Sequence, residues 1–98
     1  MEYIPVVIQA VAGKDYKVYV YFDDGKITCI DMADKLDKGV FKQIKDIIVF
    51  RETLTVMNDT LAWDINRNRD EYECIDIDPE VLYMCPEVKE ADYIDEIA

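Results

Sequence analysis

The chain contains no histidine. That excludes histidine activation of a serine or cysteine nucleophile, and it excludes a mixed cysteine–histidine zinc site. Cysteine is scarce as well: Cys29, Cys74 and Cys85 are odd in number and show no C-x-x-C spacing. A secreted disulfide framework needs an even set at higher density, so these three read as reduced, buried thiols. The glycines Gly13, Gly25 and Gly39 stand alone, which leaves no glycine-rich loop to cradle a phosphate. No apolar run approaches the roughly 18–20 residues of a membrane helix, and no membrane association is expected. The opening residues Met1-Glu2-Tyr3-Ile4-Pro5 lack the basic start and apolar stretch of a signal peptide. A cytoplasmic location is the expectation.

Positive charge is the remaining scarcity. Eleven Lys and Arg stand against 22 Asp and Glu, a net charge of −11. The imbalance is not spread evenly. Residues 1–51 carry eight basic and eight acidic side chains, whereas residues 70–98 carry eleven acidic ones against Lys89 alone. An end of that kind faces water or a positive partner. It does not bind nucleic acid directly, because polyanions need Lys and Arg to displace their counterions.

What is present is enough for one compact core. Apolar residues make up 51% of 98 residues, and two separate cores would each be too small. The organisation expected is a single α+β domain over residues 1–85 followed by an acidic tail over 86–98. Ile4 to Ala12, rich in β-branched residues, reads as a first strand. Tyr16–Phe22 and Lys26–Met32 read as a hairpin around Asp23-Asp24-Gly25-Lys26. Asp-Gly at two central positions suits a type I′ turn, and that turn sets Tyr19 opposite Ile30 and Tyr21 opposite Thr28. One face of the hairpin is then apolar and the other aromatic, which asks for a helix over one and a partner or the tail over the other. Apolar residues at Val40, Phe41, Ile44, Ile47 and Ile48 predict one central helix over 39–48. Phe50, Leu54 and Val56, then Leu61 and Trp63, predict a second hairpin around Asn58-Asp59-Thr60. Asn66 to Glu73 reads as an exposed loop and Cys74–Ile77 as a short strand. Asp78-Pro79-Glu80 is a helix start, with Asp at the cap and Pro in the first turn, and Pro86 ends that short helix. In the tail, Val88, Ala91, Ile94 and Ile97 lie at near-helical spacing, which predicts an amphipathic helix laid against a partner.

The ordered landmarks are Phe22-Asp23-Asp24-Gly25, Asp31, Val40-Phe41-x-x-Ile44, Phe50, Leu61-x-Trp63 and Ile75-Asp76-Ile77-Asp78-Pro79-Glu80-x-Leu82-Tyr83. In that order and spacing the chain resembles the bacterial domain-of-unknown-function-2442 family over roughly residues 5–83. The resemblance implies a small α+β domain with no established activity. It also implies pairing with a second small protein of unknown function, in arrangements of toxin–antitoxin type. The family commonly has a short Gly-containing turn soon after the Trp, and here a polar loop from Asn66 to Glu73 replaces it.

Carboxylates are the only abundant reactive groups. Asp76 and Asp78 are two apart and share a face if both lie on a strand, as a metal pair would require. The simpler reading makes Asp78 the helix cap and Asp76 a solvated side chain. Asp64 with Asp70 or Glu71 has the oxygen chemistry for a hard cation but no EF-hand spacing. Asp31, set opposite Val18, would have a raised pKa if buried and would then suit acid–base work. Its plainer role is to accept backbone donors in the next turn. No catalytic residue, metal or cofactor is therefore expected, and the chain is read as a non-enzymatic protein-binding module. Its expected partner is a small basic protein. The contact would use Glu87, Glu90, Asp92, Asp95 and Glu96 for charge, with Tyr93, Ile94 and Ile97 as apolar anchors. The alternative is a homo-oligomeric regulatory or ligand-sensing domain, a homodimer for example, using the aromatic face of Tyr19, Tyr21 and Ile30.

Overall fold

A computed structural model describes residues 3–97, the side chain of Ile97 excepted. The fold is α+β. Strands β1 (Val7–Ala12), β2 (Lys17–Phe22) and β3 (Ile27–Asp31) form one antiparallel sheet in that order. Strands β4 (Leu54–Met57), β5 (Thr60–Trp63) and β6 (Ile75–Asp76) form a second. The first sheet's β1 packs on β4 and β5 of the second. Between them lies a core of Val7, Val18, Val20, Phe22, Ile30, Met32, Leu36, Ile44, Phe50, Leu61, Trp63, Ile75 and Leu82, every one buried. Trp63 is fully buried, and its Nε1 finds no acceptor among the described residues.

The first hairpin departs from the predicted register by one residue. Gly25 N–H donates to Phe22 O at 3.1 Å, and Phe22 N–H donates to Lys26 O at 2.9 Å. Only Gly25 takes a positive φ, 95°, while Asp23 and Asp24 do not. This is a three-residue loop closed by a glycine bulge, not a type I′ pair. The type I′ geometry falls in the second hairpin, where Asn58 and Asp59 have φ of 55° and 60° and Met57 faces Thr60. Because side chains alternate along a strand, the slip in β3 moves every one of its residues to the opposite face. Tyr19 faces Cys29, Tyr21 faces Ile27, and Ile30 faces Val18. Ile30 therefore belongs to the core at 4% exposure and not to the tyrosine face, where Cys29 takes its place. Asp31 pairs with Lys17, is exposed, and accepts the Ala33 N–H at 3.0 Å.

The predicted central helix is split. Gly39–Ile44 forms a 3₁₀ segment, and Ile47–Thr53 forms helix α1. Asp46 is the reason: its side chain accepts the Ile48 N–H at 2.9 Å and caps a new helix. The break places Phe50 inside α1, fully buried, where a strand had been expected. It also removes the single apolar stripe, leaving Val40 and Ile48 exposed. The second short helix, α2 (Pro79–Tyr83), starts as predicted, with Asp78 accepting the Glu80 N–H at 2.8 Å and Pro79 in the first turn. No helix is long and apolar enough to cross a membrane among the described residues.

Candidate protein-binding surface

After α2 the chain turns back along the first sheet. Cys29 N–H donates to Pro86 O at 3.0 Å, and Val88 N–H donates to Ile27 O at 2.9 Å. These bonds, with the bridge between Thr28 and Glu87, extend the sheet beyond its edge strand β3. A 3₁₀ turn over Glu90–Asp92 follows, its start held by Asp92 accepting the Lys89 N–H at 3.1 Å. Helix α3 (Ile94–Ile97) closes the segment. The predicted amphipathic stripe does not form: Ala91 and Ile94 are exposed, and Val88 is half-buried. The anchor is instead Tyr93, only 3% exposed. The side chain of Ile97, expected as an anchor, lies outside the described residues.

Tyr93 lands on the tyrosine face. Its ring stacks on Tyr19 with centroids 3.7 Å apart and planes at 6°, and it meets Tyr21 edge-on at 6.5 Å. Its hydroxyl donates to the Tyr21 hydroxyl, which donates in turn to Glu90 Oε2 at 3.0 Å. Tyr19 donates to Glu96 Oε2 at 3.2 Å, and the Lys14 N–H donates to Glu96 Oε1. Gly13 makes the fit: a Cβ there would lie 2.5 Å from the Tyr19 ring and 2.7 Å from Glu96 Oε1. Residues 86–96 thus form a strap across β2 and β3. Tyr19 and Tyr21 sit together as the sequence implied, but under this strap.

The titration behaviour follows from the cover. Burial, reinforced by the hydrogen bond to Glu96, pushes Tyr19 up to about 12. Burial also raises Tyr21, aided by its bonds to Tyr93 and Glu90, and it raises Tyr93. Burial also raises the Cys29 thiol, which disfavours the reactive thiolate. Glu96 moves the other way. The Lys14 N–H holds its carboxyl below the ordinary value of 4.5, helped by the Tyr19 hydroxyl and by the charges of Lys14 and Lys17. A depressed carboxylate stabilises the folded form above its unfolded pKa and loses that contribution as pH falls through the folded one. Acidification through and below 4.5 should therefore loosen the strap. The near-ultraviolet tyrosine circular dichroism should change over that range, and Glu96→Gln should flatten this part of the profile.

The strap's outer side is acidic. Glu87, Glu90, Asp92 and Asp95 are exposed, and an open cleft of about 510 Å³ is lined by Glu87, Val88, Lys89 and Asp92. Among the described residues the ion pairs are Lys35–Asp34, Lys45–Asp37 and Arg67–Glu52, so none involves a strap carboxylate. The other carboxylates weighed from sequence have local duties. Asp64 accepts the Arg69 N–H at 3.0 Å, Asp70 accepts the Tyr72 N–H at 2.9 Å, and Asp78 caps α2. No group of three or more Cys, Asp or Glu is placed to hold a metal ion among the described residues.

A family model described as "Protein of unknown function (DUF2442)" matches residues 7–85. The chain belongs to this family. No curated protein and no solved structure matches it. The DUF2442 match contains Gly13, Tyr19, Tyr21 and Cys29 and ends at Cys85, one residue before the strap begins. The tyrosine face therefore lies in the DUF2442 region and its cover lies beyond it. Sequence reasoning missed Gly13 and Cys29 as parts of that face. Both became visible only with the correct register and with the tail in place.

Proposed function

We propose that this chain is a non-enzymatic, antitoxin-like binding module that holds a small basic protein against its acidic C-terminal strap. The observation that carries this reading is the set of exposed carboxylates, Glu87, Glu90, Asp92 and Asp95, fixed on a folded platform with no cation paired to them among the described residues. While the strap is closed these carboxylates are held in one arrangement, which lowers the ordering cost of binding. Charge of one sign steers an oppositely charged partner and makes its capture sensitive to salt. If the partner acts on nucleic acid, these carboxylates would stand where phosphates otherwise bind. Ile94, 41% exposed, is the apolar contact at hand. Tyr93 and Glu96, expected to face the partner, are instead occupied in holding the strap, and Glu90 commits one oxygen to the Tyr21 hydroxyl. Self-association through Tyr19 and Tyr21 is less well supported, because Tyr93 already occupies that face.

The test is a pull-down from host extract with the tagged full chain and with the variant Glu87→Gln/Asp92→Asn/Asp95→Asn. The expected result is a small basic protein retained by the native chain at low salt and released at high salt. The variant should retain about tenfold less, roughly 1.4 kcal/mol of binding. Equal retention by both chains, or no specific protein, would contradict the reading.

A further inference from the structure

The strap sits on the sheet in the manner of a bound peptide. Three recognition elements hold it. The β3 edge offers Ile27 O and the Cys29 N–H, which bind backbone without regard to sequence. The Tyr19 and Tyr21 rings take one aromatic side chain, that of Tyr93. The Lys14 N–H and the Tyr19 hydroxyl take a carboxylate three residues further on, that of Glu96, in a positive setting provided by Lys14 and Lys17. Gly13 leaves room where those last two meet. All of these recognising groups lie inside residues 7–85, the DUF2442 match, and everything they hold lies outside it.

The occupant is also weakly tied down. Its helical pieces are three and four residues long, too short to persist alone. Two edge hydrogen bonds, one buried tyrosine and two glutamates, Glu90 and Glu96, hold it to the sheet. Such segments open locally without global unfolding.

We propose that the β2–β3 face is a peptide-docking site, that residues 86–96 fill it in cis, and that its ligand in trans is a segment of another protein with the same chemistry. That ligand is an extended stretch pairing with β3, followed by a tyrosine with a carboxylate three residues beyond it. The strap then acts as a built-in competitor, and only a chain whose strap is open takes the ligand. This inference goes beyond the basic-partner reading and does not depend on it, since the ligand here is acidic.

The probe is a fluorescein-labelled synthetic peptide with the sequence of residues 86–98, titrated by fluorescence anisotropy against full-length chains. Apparent affinity falls in proportion to the fraction of open chains. Tyr93→Ala, which frees the site while leaving Tyr19, Tyr21 and Gly13 intact, should bind the peptide at least about tenfold more tightly than the native chain. Adding Gly13→Val should abolish that gain, and a scrambled peptide should not bind. Should Tyr93→Ala unfold the chain, Glu96→Gln carries the same test, with an expected gain of about threefold. No binding to the opened chain, or equal binding of the scrambled peptide, would overturn the proposal. Either of those results would leave the basic-partner reading standing, because no basic protein takes part in this assay.

Discussion

Trp63→Ala is expected to cost about 3–5 kcal/mol of stability, read from urea unfolding of the full chain. Trp63 is fully buried on β5, where it pairs with Leu54 of β4 and Ile75 of β6. Its ring lies 5.4 Å from that of Phe50, which in turn meets Tyr16 edge-on at 5.1 Å. The tryptophan thus ties the second sheet to α1 and, through Phe50, to the start of β2. Its removal leaves a cavity that several elements would have to close at once, and close-packed interiors relax only partly. A domain of this size has roughly 5–15 kcal/mol in total, so the loss would be a large share of it. The melting temperature should fall by on the order of 15–30 °C. A loss below about 1 kcal/mol would place Trp63 outside the core and contradict the packing.

Gly13→Val should release the strap while leaving the core folded. The added Cβ would lie 2.5 Å from the Tyr19 ring and 2.7 Å from Glu96 Oε1. Tyr19 is 5% exposed on the central strand of its sheet and cannot retreat without moving β2. The glutamate is the end of a flexible side chain, so it gives way first, and the strap loses the carboxylate held by the Lys14 N–H and the Tyr19 hydroxyl. Overpacking of this kind costs about 1–3 kcal/mol, and here the strap can discharge it by detaching. The expected result is amide exchange at least about tenfold faster at Cys29 and Val88, with little change at Val18 and Val20. Faster exchange throughout the sheet would mean that the strap and the core unfold together. Unchanged exchange everywhere would mean that Gly13 does not limit the contact.

Local chemistry was legible in the sequence wherever one or two residues decide the outcome. Asp78-Pro79 predicts the start of α2, and the two residues form it. Asn58-Asp59 predicts the second turn and adopts it with both residues at positive φ. The first hairpin fails on a subtler point. Asp24-Gly25 suits both a two-residue type I′ turn and the end of a three-residue loop, and these differ by one residue of register. That single residue moved Ile30 into the core and Cys29 onto the tyrosine face. By periodicity alone Asp46 is a polar residue on the outer side of one longer helix, and a cap reading competes with that. Its capping bond to Ile48 decides for the cap.

The strap was out of reach for a different reason. Tyr19 and Tyr93 lie far apart in the chain, and periodicity reports only neighbours. Two unfinished features were nonetheless visible: an aromatic sheet face lacking a cover, and a tail with apolar residues lacking a surface. The face reads as awaiting a partner or the tail, and the tail reads as awaiting a partner. In the fold they answer one another, with Tyr93 stacked on Tyr19. What remains facing outward is the charge, and the proposed basic partner rests on that charge.

Nuclear magnetic resonance of the full chain at neutral pH tests the strap most directly. Cross-peaks between the ring protons of Tyr19 and Tyr93 are expected, together with slowed exchange at the Cys29 and Val88 amides. Absent cross-peaks, with both amides exchanging at the rate of an unstructured peptide, would contradict that arrangement.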